Sequence, residues 1–434
     1  MRRAAAALLL ITALAGSASA APFAERVVLP NGMVLLVSER RALPIVAVSV
    51  YVRAGSVLDP PDSGGLANLT ASLLTRGTAQ RSGADIDRAI ESVGGSLSSG
   101  GGRDGAAISL GVLAKDLPLG LDLLAEVLTQ PSFPEDELRR KVGEIQAALR
   151  NAESEPETVA GRALAALIYP GHPYARPALG TPASVATLDR ARVTAFHRLH
   201  YRPDATTVVV VGDVSAPEVR ARLVGRLGGW QAPAAPLSAV PSAPGAVPPG
   251  ARTIVRELTQ STVFLGRPAI RQQDPDYPAL IVATYILGGG SASRLYTRVR
   301  EERGLAYGVG AGVGAARYGS SLTVSLQTRN ESAEEALRLV REEMRRVGAA
   351  DATPAELALA KAYLIGSYAL RTDTSSKVAV LIASLEELGL GLDYPERYRE
   401  RIAAVTVADV RRVSARFLDP DTYSTVIVTG RRAP

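Results

Sequence analysis

The chain has no cysteine among its 434 residues. That excludes a disulfide framework, a thiol nucleophile and a lipid-anchored cysteine. Histidine is nearly as scarce, with three residues, and there is one tryptophan in an aromatic share of 5%. Lys and Arg (49) outnumber Asp and Glu (43), but the two signs are interspersed and no recognition motif accompanies them, so a nucleic-acid partner is not expected. Long apolar runs are also missing except at the start, where Arg2 and Arg3 precede an apolar stretch from Ala4 to Leu14 and then Ala18-Ser19-Ala20. A basic entry, a short apolar core and an A-x-A site are the pattern of a secretory signal over residues 1–20, and the core is shorter than a membrane span needs. The expectation is an exported, periplasmic protein of a bacterium, without a membrane span.

The chain is well beyond the roughly 100–200 residues usual for one domain, which supports two. Val27-Val28-Leu29 and Met33 to Val37 flank Pro30-Asn31-Gly32, a hairpin signal, and Ile45 to Val52 is a strand apolar on both faces, to be covered by helices. The glycine-rich run Gly94 to Gly102 leads into a further strand, Ala106 to Leu113. Helices follow on Leu117, Leu121, Leu124 and Leu128, on Glu135 to Arg150, and on Asp189 to His200. Between Gly228 and Gly250 the composition turns to Pro, Ala and Gly without periodicity, which reads as a linker between a first domain at 21–227 and a second at 251–434. The halves echo each other. Tyr201-Arg202-Pro203-Asp204 before the strand Thr206 to Val211 recurs as Leu418-Asp419-Pro420-Asp421 before Thr425 to Gly430, at an offset of roughly 215 residues, suited to a duplicated domain. Mixed strands and helices with hairpins indicate an α+β class.

The stretch from Gly64 to Thr78 places Leu66, Leu69, Leu73 and Leu74 on one helical stripe, with glycines before it and Gly77 after it as start and stop signals. Its frame resembles the zinc-binding helix of the pitrilysin/insulinase (M16) family of metallopeptidases, in which Gly-Leu-Ala leads into His-x-x-Glu-His. The places of the two histidines and the glutamate are held here by Asn68, Ser72 and Ala71. Two imidazoles at i and i+4 are what puts both ligands on one helix face, and a Glu between them can take a proton from a metal-bound water. Asn68 and Ser72 are poor zinc ligands and Ala71 is no base. In the family the third ligand is a Glu on a later helix. Counting back from Pro156 puts that place near Ala148, beside Ala147 and Leu149, none of them acidic; Glu144 lies one turn earlier and by itself makes no site.

Other chemistries find no complete constellation. His197 and His200, at i and i+3, could clamp a metal or support the Arg202-Pro203 turn, and no third ligand is in view; His172, between Gly171 and Pro173, reads as a turn residue. There is no Gly-x-Ser-x-Gly elbow, and the runs Gly100 to Gly102 and Gly288 to Gly290 lack the Gly-Lys-Ser/Thr of a phosphate loop, so they read as turns or strand entries.

In the second half the resemblance is intact. Leu287-Gly288-Gly289-Gly290-Ser291-Ala292-Ser293-Arg294-Leu295 and Val299-Arg300-Glu301-Glu302-Arg303-Gly304-Leu305-Ala306-Tyr307 look like the family segment whose Arg and Tyr contact substrate near the zinc of the opposing half. Matched by position, these are Arg300 and Tyr307, with Arg294 structural. Arg300 is expected in the last turn of a helix ending at Gly304, and Tyr307 at the opening of a strand, sharing a face with Val309, Ala311 and Val313. Spacing alone fits an Arg300–Glu pair and an ordinary strand aromatic; the resemblance favours substrate contact.

The resemblance covers nearly all of the chain beyond residue 20. It implies two similar tandem domains, each a largely antiparallel sheet flanked by helices. It also implies a non-catalytic subunit, without zinc of its own, that pairs with a homologue carrying His-x-x-Glu-His and zinc to cleave peptides. A peptide-binding or structural pseudoenzyme is the alternative.

Overall fold

The computed structural model describes residues 23–430, and the secretory signal read at 1–20 lies outside them. The first half runs β1 (Glu25–Val28), β2 (Val34–Glu39), β3 (Ile45–Val52), α1 (Leu66–Leu73), α2 (Gly83–Glu91), β4 (Ser96–Gly101), β5 (Ala106–Leu113), α3 (Leu117–Thr129), α4 (Glu135–Ser154), α5 (Pro156–Ile168), α6 (Pro182–Ala186), α7 (Arg190–His200), β6 (Thr206–Gly212) and α8 (Ala216–Leu227). The second runs β7 (Ala251–Val255), β8 (Gln260–Ala269), α9 (Tyr277–Gly288), β9 (Ala306–Gly314), β10 (Ser320–Arg329), α10 (Ala333–Ala349), α11 (Pro354–Tyr368), α12 (Ser375–Leu388), α13 (Tyr394–Ala404), α14 (Val407–Phe417) and β11 (Ser424–Thr429).

The strands form two sheets, β1-β2-β6-β3-β5-β4 and β7-β11-β8-β10-β9. β6 and β11, the two strands whose turns repeat in sequence, occupy matching places. Each pairs parallel to one neighbour (β2 or β7) and antiparallel to the other (β3 or β8). The fold is α+β, with two similar tandem domains. The glycine-rich stretch at 94–102 is more than an entry. Ser96 to Gly101 pair antiparallel with β5 and form the edge strand β4.

On one face of the first sheet, alternate residues Val46, Val48, Val50 and Val52 join a core with α1, α3 and α8. Its other face is covered by α12 from the second half, whose Val378, Ala379, Ile382 and Ala383 pack on Leu36, Ala47, Val209 and Val211. The exchange is reciprocal. α5, from the first half, lays Val159, Ala160, Ala163 and Leu164 with Val426 and Val428 of the second sheet. A Cβ added at Gly266 would come within 2.6 Å of Leu164, so helix and sheet approach as closely as glycine permits. This swap explains why β3 and β6 are apolar on both faces. The 228–250 stretch contains no helix or strand, yet it is fastened. Arg202 donates to the Ala235 carbonyl at 2.6 Å, and the Ala243 amide donates to Tyr318 O at 2.7 Å.

Candidate functional site

α1 begins at Gly65, whose φ of 94° is a left-handed conformation that glycine adopts without strain. The carboxylate of Asp59 accepts from the Gly65 and Ala67 amides, both at 2.8 Å, and so satisfies the donors at the helix start. Burial nevertheless pushes the Asp59 carboxyl up to about 6. Leu66, Leu69 and Leu73 enter the core as their spacing predicts.

Asn68 and Ser72 are half-buried and Ala71 is fully buried. Each of the two polar side chains donates to a backbone carbonyl. Asn68 Nδ2 donates to Gly101 O at 3.1 Å and Ser72 Oγ to Leu69 O at 2.9 Å, while Ser99 Oγ donates to Ala71 O at 2.7 Å. β4 is thus seated directly on α1, and closely: a Cβ at Gly101 would lie 2.6 Å from Asn68 Cα. On α4, which packs beside α1, Ala148 is exposed while Ile145 and Leu149 take the buried stripe. Glu144 is exposed and pairs with Arg140 and with Lys141 Nζ at 2.6 Å. Among the described residues no group of three or more His, Asp or Glu could hold a metal. An amide and a hydroxyl already donating to backbone, a methyl, and an exposed alanine do not fit zinc.

The second candidate is assembled by a helix–turn–strand. Leu295 and Val299 are fully buried and anchor a π-helical turn, Tyr296–Glu301; Arg294 grips Glu356 through two bonds of 2.6 and 2.9 Å. Gly304, at φ 60°, ends the turn, and the amides of Gly304 and Leu305 return to the carbonyls of Arg300 and Val299, both at 3.0 Å. The Arg300 guanidinium then lies 5.5 Å from the Tyr307 ring centroid and 4.7 Å from that of Tyr296. Among the described residues no carboxylate lies within salt-bridge distance of Arg300, so the alternative of an Arg300–Glu pair is absent from this geometry. Tyr296 was not singled out from the sequence; its signal is an aromatic residue four positions before the arginine, on the same helix face.

Tyr307 departs from expectation in one respect. A bulge opposite Gln327 and Thr328 pairs these with Gly308 and Ala306, leaving Tyr307 as the extra residue. The slip puts Ala306 in the core with Val309, Ala311 and Val313, and turns Tyr307 out, 79% exposed. The pair therefore offers guanidinium N–H donors and a phenol at a sheet edge, both able to donate to a carbonyl oxygen.

The histidines do not converge. His197 Nε2 faces the Leu128 carbonyl at 3.0 Å and its ring stacks on Tyr201, whereas His200 packs on Phe196. Burial lowers both to about 4, with Arg202 adding to the effect on His200. His172 Nδ1 accepts from the Tyr174 amide at 3.1 Å, leaving Nε2 to donate to the Pro241 carbonyl at 2.9 Å; it ties a turn to the 228–250 stretch.

Two family models match this chain. Residues 34–182 match the one described as Insulinase (Peptidase family M16), and residues 187–364 the one described as Peptidase M16 inactive domain. The word inactive attaches to the second match; for the first half the α1 residues are what speak. An uncharacterized zinc protease of Mycobacterium leprae is 30% identical over 357 residues, covering 81% of this chain and 79% of that protein. The non-peptidase homolog YmxG of Helicobacter pylori is 24% identical over 377 residues, 87% of each. A crystal structure of a peptidase M16 inactive domain from Pseudomonas fluorescens matches with a TM-score of 0.88 at 28% identity, over 94% of this chain and 98% of that one.

Proposed function

Since the chain belongs to the M16 peptidase family, we propose that it is the non-catalytic subunit of an exported, heterodimeric zinc peptidase. The observation that carries this reading is an asymmetry. The metal positions at Asn68, Ala71, Ser72 and Ala148 bear no ligand, while Arg300, half-buried, and Tyr307, exposed, are assembled side by side, and among the described residues Arg300 has no carboxylate partner. A partner of the same family bearing His-x-x-Glu-His would hold the zinc. This chain would close a chamber around the peptide and donate hydrogen bonds from Arg300 and Tyr307 to substrate carbonyls, orienting the chain and favouring charge that develops on oxygen.

The test is co-purification with such a homologue followed by a peptide-cleavage assay. The complex should cleave and the isolated chain should not. Arg300→Ala combined with Tyr307→Phe should lower kcat/KM about a hundredfold while leaving assembly intact. Unchanged cleavage would remove the assigned role. Stable assembly without cleavage would favour a structural pseudoenzyme, the reading that the name of the Helicobacter pylori relative supports.

A further inference from the structure

Between the two halves lies a cavity of about 250 Å³ with a mixed polar and apolar lining that includes neither Arg300 nor Tyr307. Its walls come from both domains. Arg53 follows β3, Asp104 sits in the β4–β5 turn, His200 ends α7 with Arg202 just beyond it, and Arg317 lies in the β9–β10 turn; Leu237 and Val240 of the 228–250 stretch add an apolar side.

Among the lining side chains three arginines accompany one carboxylate, and Asp204 and Glu387 lie close enough to interact with Arg53 and Arg317 without forming ion pairs to them. Arg202 is held by its own Asp204, at 2.6 and 2.8 Å. Asp104, the one lining carboxylate, is occupied by the Tyr174 hydroxyl at 2.6 Å and by the backbone amide of Arg317 at 3.0 Å. The neighbouring Glu387 carboxylate accepts from Tyr51, and Arg317 reaches only the Glu387 backbone carbonyl. Arg53 likewise donates to a backbone carbonyl, that of Asp204, at 2.6 Å. Among the described residues neither Arg53 nor Arg317 has a carboxylate within salt-bridge distance. Two guanidiniums, with five N–H donors each and one hydrogen bond apiece to a backbone carbonyl, therefore line one part-open cleft. Burial, and after it the nearby Arg317, hold the Arg53 guanidinium below its ordinary value, with Asp204 partly opposing them.

We propose that this cavity binds a small oxyanion, gripped by Arg53 and Arg317 with His200 alongside. Planar guanidinium forks match phosphate and carboxylate oxygens, and they hold such groups in partly desolvated sites more readily than ammonium groups do. The volume equals roughly eight waters, enough for inorganic phosphate or a short dicarboxylate with a few waters. Because the ligands come from both halves, occupancy fastens one domain to the other, and stability rises with anion concentration by linkage. The inference is independent of whether the protein serves a peptidase.

The experiment titrates the full chain with inorganic phosphate and, separately, with succinate, at ionic strength held constant with sodium chloride. It follows thermal unfolding and the imidazole NMR signals, which are few enough to assign with three histidines. The expected result is a saturable rise in Tm together with an upward shift of the His200 pKa, while His197 stays put. Arg53→Gln and Arg317→Gln should each weaken the apparent Kd about tenfold or more, and Arg41→Gln, a change at an exposed arginine, should leave it unchanged. A response to phosphate alone assigns a tetrahedral anion, and one to succinate alone a carboxylate. No saturable response to either overturns the proposal, as does an undiminished response in both cavity variants. The His200 titration of the unsubstituted chain decides the matter if a variant does not fold.

Discussion

The Tyr51 hydroxyl, on β3, donates a hydrogen bond to the Glu387 carboxylate in the last turn of α12, joining residues 336 positions apart across the two domains. Next to it, Arg26 of β1 holds Glu386 through bonds of 2.9 and 2.7 Å. These contacts fix the helix that the second half lends to the first sheet.

The burial of Glu387 makes stability depend on pH. Burial pushes the Glu387 carboxyl up to about 7, against 4.5 for the free group, despite the bond from Tyr51. Between these values the folded state binds more protons than the unfolded one, so this contribution is fully present below pH 4.5 and is lost as pH rises through 7. Glu387→Gln should remove that slope, on the order of 3 kcal/mol across the window, as read from urea unfolding at a series of pH values.

The buried histidines act in the opposite sense. His197 and His200 are lowered to about 4 from 6.5, so the unfolded state takes up their protons first and stability falls as pH drops below 6.5. In the unsubstituted chain this acid limb is partly masked by Glu387. In Glu387→Gln it should stand clear, and His197→Gln on that background should flatten it again.

Ala71→Glu, half of an attempt to rebuild a zinc site, should cost about 3 kcal/mol, because it buries a carboxylate where α1 meets β4. Gly101→Val should cost about 2 kcal/mol by driving a side chain into the Asn68 backbone. Denaturant midpoints measure both. Zinc analysis of Asn68→His with Ser72→His should find substoichiometric metal, since the third ligand is missing and β4 covers the face.

Stability and function should separate in the second half. Tyr307→Phe should change stability by less than about 0.5 kcal/mol, because the ring is exposed and keeps its face, and Arg300→Ala should cost no more than about 1 kcal/mol, from the lost stacking on Tyr296 and Tyr307. Arg294→Ala should cost about 2 kcal/mol by unpairing Glu356. The pair lowers Glu356 to about 2, so its contribution should disappear as pH falls from 4.5 towards 2.

Much of the fold is legible in local patterns. The leucine stripes of α1, α3 and α4, the hairpin at Pro30-Asn31-Gly32 and the repeated turns before β6 and β11 all lie where side-chain period and turn chemistry put them. Other elements carry no such mark. α9 is buried almost all round and has no polar face to give it a period. β4 is mostly serine and glycine, and at Gly101 α1 lies too close to admit a side chain.

For the site, the sequence offers poor zinc ligands at Asn68 and Ser72 and no base at Ala71, positions that only the family resemblance singles out, and the Arg300–Tyr307 spacing allows a turn to bring the two together. Only the tertiary structure decided that Tyr296 completes a sandwich, that a bulge turns Tyr307 to solvent, and that Arg53 and Arg317 meet in one cavity. The physical reason is range. Period and ligand chemistry are properties of neighbours along the chain, whereas the helix exchange and the charge balance between the halves depend on which distant surfaces are buried together.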